Sequence, residues 1–575
     1  MSRRVSSSRQ AAPSFQIRTR LVALLLVVAG VGLVGRAAYL QVFNTEFLNE
    51  QAAARHLRVA QVAAHRGPVT DRNGEVLAVS TPVDSIWVNP KEILRTPEKI
   101  SQLAAAVGLD ADRLARRLTR SASKSFLYLR RHMNPADASR VMALELPGVD
   151  RLREYRRYYP AGEVAGHLVG FTNVDDAGQE GLELAFDQWL SGQPGQRKVL
   201  KDRLGRVVEN IESIKTAEPG RTLASSIDLR IQYLAYRELM TAVQKHRAAS
   251  GSLVLLDVMT GEVLAMVNQP TFNPNDRSQL EAQRYRNRAI TDILEPGSAL
   301  KPLIVAAALE SGQYSASSRI NTSPGFIQVG AKLIEDKNNL GRIDLATLLA
   351  RSSNVGATKL AMSLQADQLY DILTRFGLGR PSASGFPGES AGLLSHHANW
   401  RPISQATIAY GYGLSMTPLQ LAQAYAILGA GGLQRPISLL RVDEAPIPRR
   451  VISESAARDV LAMLETVVQA GSTGSRAAVL NYRVAGKTGT ARKIAPGGYA
   501  NDRYTAVFAG IAPASAPRLA AVVVVDDPRA GEYYGGTVAA PVFAAVMEGA
   551  LRVMAVAPDQ FEDQERATTL AARAP

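Results

Sequence analysis

The apolar positions of this 575-residue chain fall into distinct regimes. Residues 21–35 are all apolar or glycine, and apolar character resumes after Arg36 through Ala37, Ala38, Tyr39 and Leu40. About 20 such residues cross the hydrocarbon core of a bilayer, so the pattern predicts a membrane helix over residues 21–42. Arg36 can extend to the headgroups and Tyr39 suits that interface. Residues 43–220 then mix short alternating runs with arginine-rich helical periodicity. Residues 221–557 carry longer apolar runs, and residues 558–575 are polar and read as a disordered tail.

Within residues 43–220, the stretch 44–62 reads as a polar, largely helical stalk, and 91–145 as helices rich in Arg and Ala. Residues 65–78 read as a hairpin turning at Asn73-Gly74, 198–208 as another, and 156–162 and 178–183 as turn-rich. On their own these features describe an α+β module without chemistry. A boundary falls near Pro219-Gly220. Beyond it Ser226-Ile227-Asp228 leads into an amphipathic helix over 229–245. Strands follow at 252–257 and 262–268, joined at Thr260-Gly261, with two more at 503–512 and 519–526 and a closing helix at 541–553. One antiparallel sheet with helices packed on it would take all four strands, which makes the fold class α+β.

Composition removes several kinds of chemistry. The chain has no cysteine, which excludes disulfides, thiolate metal sites and a cysteine nucleophile. Its seven histidines are scattered without metal-binding spacing, so neither a metal nor another cofactor is expected. The formal charge is +14, but basic residues are not interleaved with aromatics on one element, and no nucleic-acid partner is indicated. Arg3, Arg4, Arg9, Arg18 and Arg20 all precede the apolar run. By the positive-inside rule they keep residues 1–20 in the cytoplasm and place the rest outside. A cleaved signal peptide is the competing reading, although the run is long and no clear Ala-x-Ala site follows it.

The candidate chemistry centres on Glu295-Pro296-Gly297-Ser298-Ala299-Leu300-Lys301-Pro302. A helix beginning just after Gly297 would put Ser298 and Lys301 on one face, with the amine in hydrogen-bond reach of the hydroxyl. Ser298 would stand at the helix N-terminus, where free N–H groups favour developing negative charge. Ser-x-x-Lys is a weak signal, and Ser121-Ala122-Ser123-Lys124 fits it too. That second copy follows Arg116, Arg117 and Arg120 with no Pro-Gly turn and reads as a solvated helix end.

Two further patterns follow in order: Ser352-Ser353-Asn354 on a helical region and Lys487-Thr488-Gly489-Thr490 on a strand. In this order the three resemble the motif set associated with serine β-lactamases and penicillin-binding proteins. No histidine lies near Ser298, so a neutral Lys301 is the available base, its pKa lowered by burial and by Lys487. Ser352 can relay a proton to the leaving amine, and Asn354 can hold a substrate amide. Gly489 lets a ligand approach the strand backbone, while Lys487, Thr488 and Thr490 offer charge and hydroxyls to a carboxylate. The backbone N–H groups of Ser298 and Thr490 would form an oxyanion hole. Taken singly, each pattern also reads as a cap, a turn or a solvated strand end.

The sequence resembles the class B penicillin-binding proteins, and among them the septal members. The resemblance runs from Arg36 and Tyr39-Leu40-Gln41 to Tyr534-Gly535-Gly536-Thr537-Val538-Ala539-Ala540-Pro541-Val542-Phe543. It includes Arg66-Gly67-Pro68-Val69-Thr70-Asp71-Arg72-Asn73-Gly74, Tyr159-Pro160, Arg286-Asn287-Arg288-Ala289-Ile290 and Tyr410-Gly411-Tyr412-Gly413-Leu414. It implies a non-catalytic pedestal at 43–220 and a β-lactamase-like transpeptidase domain at 221–557. The domain would cross-link peptidoglycan stem peptides at D-Ala-D-Ala through an acyl-Ser298 intermediate and be a target of β-lactams. It also implies a single-pass protein of the bacterial inner membrane with a periplasmic catalytic domain. Its partners would be an FtsW-type membrane glycosyltransferase and other division proteins. Tyr504, Tyr533 and Tyr534 would by similarity wall the pocket, core packing being the competing reading. Ala299-Leu300 departs from the Thr-Val common in septal members. The same motifs also suit a D,D-carboxypeptidase or β-lactamase, or a β-lactam sensor, but neither hydrolase needs an anchor and pedestal, and a sensor needs a cytoplasmic output domain.

Overall fold

The computed structural model describes residues 15–43, 57–62, 64–201, 207–276, 278 and 281–560. The N-terminal apolar run forms a helix, Phe15–Ala38, closed by a π-turn over Tyr39–Phe43. The 25-residue stretch Ile17–Gln41 buries none of its surface in the protein. At 1.5 Å per residue it reaches about 37 Å, enough to span a hydrocarbon core. The Arg36 guanidinium carbon stands 5.6 Å from the centre of the Tyr39 ring, which pairs the two expected interface residues.

Two sheets build the part that follows. Leu57–Val62, Gly195–Lys201 and Val207–Lys215 form an antiparallel three-stranded sheet. The expected hairpin near 198–208 is thus present, its connection lying outside the described residues. The helical reading of 44–62 fails at its C-terminal end, where Leu57 to Val62 pair in register with Leu200 to Gly195. That partner is far away in sequence, so the local polar pattern does not reveal it. Residues 44–56 lie outside the described residues.

The second sheet centres on the long strand Val76–Val88, joined by Val69–Thr70, Leu127–Met133, Val149–Tyr158 and Leu223–Ala224. The Asn73-Gly74 turn is as expected. Gly74 has φ +95°, and the Asp71 carboxylate accepts from the backbone N–H of Asn73 at 2.7 Å and of Glu75 at 2.9 Å. Helices Ile100–Val107, Ala111–Arg120 and Pro135–Met142 match the periodicity of 91–145, but Leu127–Met133 interrupts them as a strand paired with Val76–Val88. Residues 156–158, expected in turns, close the strand Val149–Tyr158. Ser121 caps the end of Ala111–Arg120, as expected, but is itself buried rather than solvated. Leu223–Ala224, just past residue 220, still pairs with Val69–Thr70 in parallel.

The remaining chain folds around a five-stranded antiparallel sheet: β1 (Ser250–Asp257), β2 (Val263–Gln269), β3 (Ala485–Ala495), β4 (Gly498–Ala512) and β5 (Leu519–Asp526). Its order is β2-β1-β5-β4-β3. The four expected strands are β1, β2, β4 and β5, and β3 joins them at the edge. β4 starts earlier than the expected 503 because the β3–β4 hairpin continues beyond the other strands, pairing Ile494 with Tyr499. Those outer residues are largely exposed and lack the unbroken burial of the strand cores.

Both faces of the sheet are covered, so its strands read as unbroken apolar runs whose alternate residues enter different cores. Leu253, Leu255, Phe508 and Val523 pack with helices α1 (Leu229–Lys245) and the C-terminal Ala540–Val553. Val254, Leu256, Val507 and Val522 pack on the other face with α2 (Lys301–Glu310) and, farther along, α3 (Leu345–Arg351), α4 (Asn354–Met362), α5 (Pro418–Gly429) and α6 (Glu454–Val468). The candidate serine, lysine and asparagine all lie on this second side. Of the expected tail, residues 558–560 are fixed: Asp559 accepts from Arg483 N at 2.7 Å and Ser515 Oγ at 2.6 Å. Residues 561–575 lie outside the described residues.

Candidate active site

Ser298 lies in a 3₁₀ turn, Gly297–Leu300, and the α-helix begins only at Lys301. Pro302 suits the first turn of α2, where an N–H would have no partner. With three residues per 3₁₀ turn, positions 298 and 301 eclipse, so the expected shared face arises by a tighter helix than the one expected. The turn is clamped on three sides. Gly411 approaches so closely that a Cβ there would come 2.0 Å from Gly297 O, and its φ is +82°. A Cβ on Gly489 of β3 would come 2.6 Å from Pro296 O. From below, the buried Tyr425 hydroxyl donates to Ala299 O at 2.8 Å. Gly489 therefore makes room for the protein's own serine turn, which corrects the expectation that it admits a ligand.

Lys301 is fully buried. Its Nζ donates to Ser352 O at 2.6 Å, Asn354 Oδ1 at 2.7 Å and Ser352 Oγ at 3.2 Å. The expected hydrogen bond to Ser298 is not formed: Nζ is engaged by Ser352 and Asn354 instead. Hydrogen bonds between nucleophile and base are often long before substrate binds. Burial, then the neighbouring Lys487, hold the Lys301 pKa well below the ordinary lysine range, against an opposing pull from Asp336. Ser298 is half-buried, its side chain free of hydrogen bonds to the described residues.

The acceptors owe their position to a break between two helices. Ser352 ends α3 with φ +57°, a left-handed conformation uncommon for a side chain other than glycine. Ser353 then caps α4, its Oγ accepting from Gly356 N at 2.8 Å. Asp336 binds this junction: it accepts hydrogen bonds from the Ser353 hydroxyl, from Asn354 N at 2.5 Å and from Val355 N at 3.0 Å. Asn354 was expected to hold a substrate amide. Its Oδ1 is instead given to Lys301, and its Nδ2 donates to Glu335 O at 3.3 Å.

On β3, Lys487 and Gly489 share the face toward the serine turn. Lys487 is fully buried, its Nζ donating to Thr488 O at 3.2 Å, and burial alone lowers its pKa to about 7. Thr490 points to the opposite face, where its Oγ1 accepts from Gly535 N at 3.0 Å. Thr488 packs on that face near Gly536. Tyr534 precedes that glycine pair. Tyr504 and Tyr533 stack at 4.1 Å, and the Tyr533 and Tyr534 rings lie 4.4 Å apart, tilted by 31°, with Tyr534 57% exposed. The three rings form a surface stack outside both cores, which removes core packing as their reading.

Asp336, Glu295, Tyr425 and Tyr499 escaped sequence reasoning as parts of this site. Glu295 accepts from Gly413 N at 2.8 Å and the Tyr499 hydroxyl at 3.0 Å, and burial raises its pKa. Glu295 stood inside a quoted motif and could have been asked for a partner. Asp336 carries no local signal, since everything it holds lies in the junction at 353–355.

Residues 251–548 match the family described as penicillin binding protein transpeptidase domain, and residues 61–225 the penicillin-binding protein dimerisation domain. Peptidoglycan D,D-transpeptidase FtsI of Escherichia coli is 46% identical over 548 residues, covering 94% of this chain and 92% of that protein. Among solved structures, the transpeptidase domain of Burkholderia pseudomallei penicillin-binding protein 3 is 40% identical with a TM-score of 0.54, over 58% of this chain and 97% of that one. Penicillin-binding protein 3 of Mycobacterium tuberculosis, complexed with aztreonam, is 28% identical with a TM-score of 0.68, over 87% of this chain and 98% of that one.

Proposed function

The chain belongs to the penicillin-binding protein transpeptidases, and from that premise we propose that Ser298 is its nucleophile and Lys301 the base that activates it. The enzyme is a serine-type peptidoglycan D,D-transpeptidase, inhibited by β-lactams. The observation that carries the assignment is a fully buried amine with depressed pKa, one 3₁₀ turn from a half-exposed serine. A neutral amine can take a proton, whereas an ordinary lysine at pH 7 cannot.

In the first half-reaction, Ser298 Oγ bonds to the carbonyl carbon of the penultimate D-Ala while its proton passes to Lys301 Nζ. The backbone N–H groups of Ser298 and Thr490 stabilise the oxyanion. As the amide C–N bond breaks, the proton moves by way of Ser352 Oγ to the departing D-Ala amine. In the second half, an amine of a neighbouring stem attacks the ester and its proton returns to Ser298. Asn354 keeps Lys301 aimed, the buried Lys487 holds the Lys301 pKa down, Thr488 meets the substrate carboxylate, and Tyr504, Tyr533 and Tyr534 wall the groove. The pedestal spans residues 43–220 and the catalytic domain 221–557, on the periplasmic side of a single membrane helix. An FtsW-type glycosyltransferase supplies the glycan, and the setting is septal wall synthesis.

The deciding experiment is intact-protein mass spectrometry of the full-length chain after incubation with a fluorescent penicillin. A stable adduct on the Ser298 peptide, absent in Ser298→Ala and present in Ser121→Ala, is the expected result. An adduct that vanishes within seconds would make the enzyme a hydrolase, and labelling retained in Ser298→Ala would move the nucleophile elsewhere.

A further inference from the structure

A cleft of ≈ 260 Å³ opens on the sheet face that carries the serine turn, beyond the point where Gly297 packs on Thr490 and Ala491. Its charged lining is Arg288, Asp292, Glu295, Arg492, Lys493 and Asp526, three cations and three anions. Some of these satisfy one another. Lys493 pairs with Asp526, which also accepts from Thr505 Oγ1 at 2.9 Å. Two polar atoms are left over. Arg288 Nη1 and Glu295 Oε2 are both buried without a hydrogen-bond partner. The carboxylate nearest to Arg288, that of Asp292, lies 3.9 Å from its Nε, outside hydrogen-bond range.

Buried polar atoms normally find partners, and one left without is costly. Here one orphan is a cationic donor and the other an anionic acceptor, in one cleft of zero net charge. A free anion would meet Asp292 and Asp526, and a free cation would meet Arg288 and Arg492. A molecule carrying both charges meets neither penalty. The volume lies below the ~300–1,000 Å³ typical of drug-sized ligands, which suits one amino acid rather than a peptide. We propose that this cleft binds a small α-amino-acid zwitterion, its carboxylate on Arg288 and its ammonium on Glu295. The inference rests on the transpeptidase reading for its two sources, the released D-alanine and the amino-acid end of the acceptor strand. The cleft roof at 292–295 runs directly into Pro296, Gly297 and Ser298, so an occupant braces the serine turn from behind.

The test uses the full-length chain in detergent, pre-acylated with fluorescent penicillin, which both blocks Ser298 and counts folded molecules. Binding of radiolabelled D-alanine is then measured per labelled molecule by equilibrium dialysis. One D-alanine per acylated enzyme is expected, weakened about tenfold or more in Arg288→Gln and Glu295→Gln, as for loss of one charge-assisted contact, and partly restored in Arg288→Lys. Propionate and ethylamine, each with one of the two charges, should bind far less. In a transpeptidation assay, a raised acceptor KM at constant kcat in Arg288→Gln assigns the site to the acceptor. An unchanged KM with D-alanine binding lost assigns it to the leaving group. No D-alanine binding to acylated wild type, or equal binding in Arg288→Gln, overturns the proposal. Failure of the transpeptidase reading would show separately, as wild type without a penicillin adduct on Ser298.

Discussion

In the N-terminal half, Arg66 and Arg157 are buried against a single carboxylate: Arg66 Nε stands 2.7 Å and Arg157 Nε 2.6 Å from Glu183, and Asp187 adds a contact to Arg66 at 2.7 Å. In the C-terminal half, Lys301 and Lys487 are equally buried, and the one carboxylate acting on Lys301, Asp336, is already committed to Ser353, Asn354 and Val355. Burial opposes charge in both places. For Arg66 it is outweighed by Glu183 and Asp187, which leave the pKa above its usual value. For the lysines it prevails, and both pKa values fall. The paired cluster is a fastening; the unpaired one keeps an amine ready to accept a proton. Arginine suits the first, being always charged and forked, and lysine the second, because its pKa moves.

The contrast can be broken most forcefully at Lys301. Lys301→Ala should slow acylation by penicillin about 10²–10⁴-fold, read by stopped-flow fluorescence, with the unfolding midpoint little changed. Glu183→Ala should do the reverse: losing the carboxylate between two buried arginines costs about 3–5 kcal/mol in denaturant unfolding, while the folded fraction acylates at the wild-type rate. If Glu183→Ala slows acylation without destabilising, the two clusters do not divide the work as described.

A third test uses pH. Lys487 has a folded pKa of about 7 and an unfolded value near the usual ~10.4, so between them the unfolded chain holds more protons. Stability therefore rises with pH across that window, by up to ~1.4 kcal/mol per unit for this group, and is lost again as pH falls toward 7. Lys487→Met should flatten that rise in unfolding measured from pH 7 to 10. The smallest effect is expected at Asp336. Its charge raises the Lys301 pKa, so Asp336→Asn should move the midpoint of the acylation pH profile downward by less than about one unit, toward lower pH and never upward.

Much of the catalytic half was legible because its strands are buried on both faces and its helices carry caps. Val254 and Leu255 enter different cores by simple alternation, and Asp228 caps α1 through Arg230 N. The set Ser298, Lys301, Ser352, Asn354 and Lys487 was legible because its members are named by motifs, whatever the distance between them. What stayed hidden depended on partners with no local trace. Leu57–Val62 becomes a strand through Gly195–Lys201, and Leu127–Met133 through Val76–Val88. Gly489 was read as space for a ligand because nothing in sequence shows that Pro296 fills it. The direction of the Asn354 amide was hidden likewise, since a motif names a residue but not the neighbour its side chain prefers.

The pocket around Lys301 Nζ is assembled from positions 301, 336, 352–354 and 487, drawn from four separate stretches of chain. Until they meet, Lys301 is an ordinary solvated lysine, protonated at neutral pH, and Ser298 is an ordinary alcohol. Penicillin should then react only with molecules whose catalytic half has closed. A fluorescent β-lactam applied during refolding, or to a nascent chain held on the ribosome, would act as a clock for that closure, its signal starting only once all of these positions have come together.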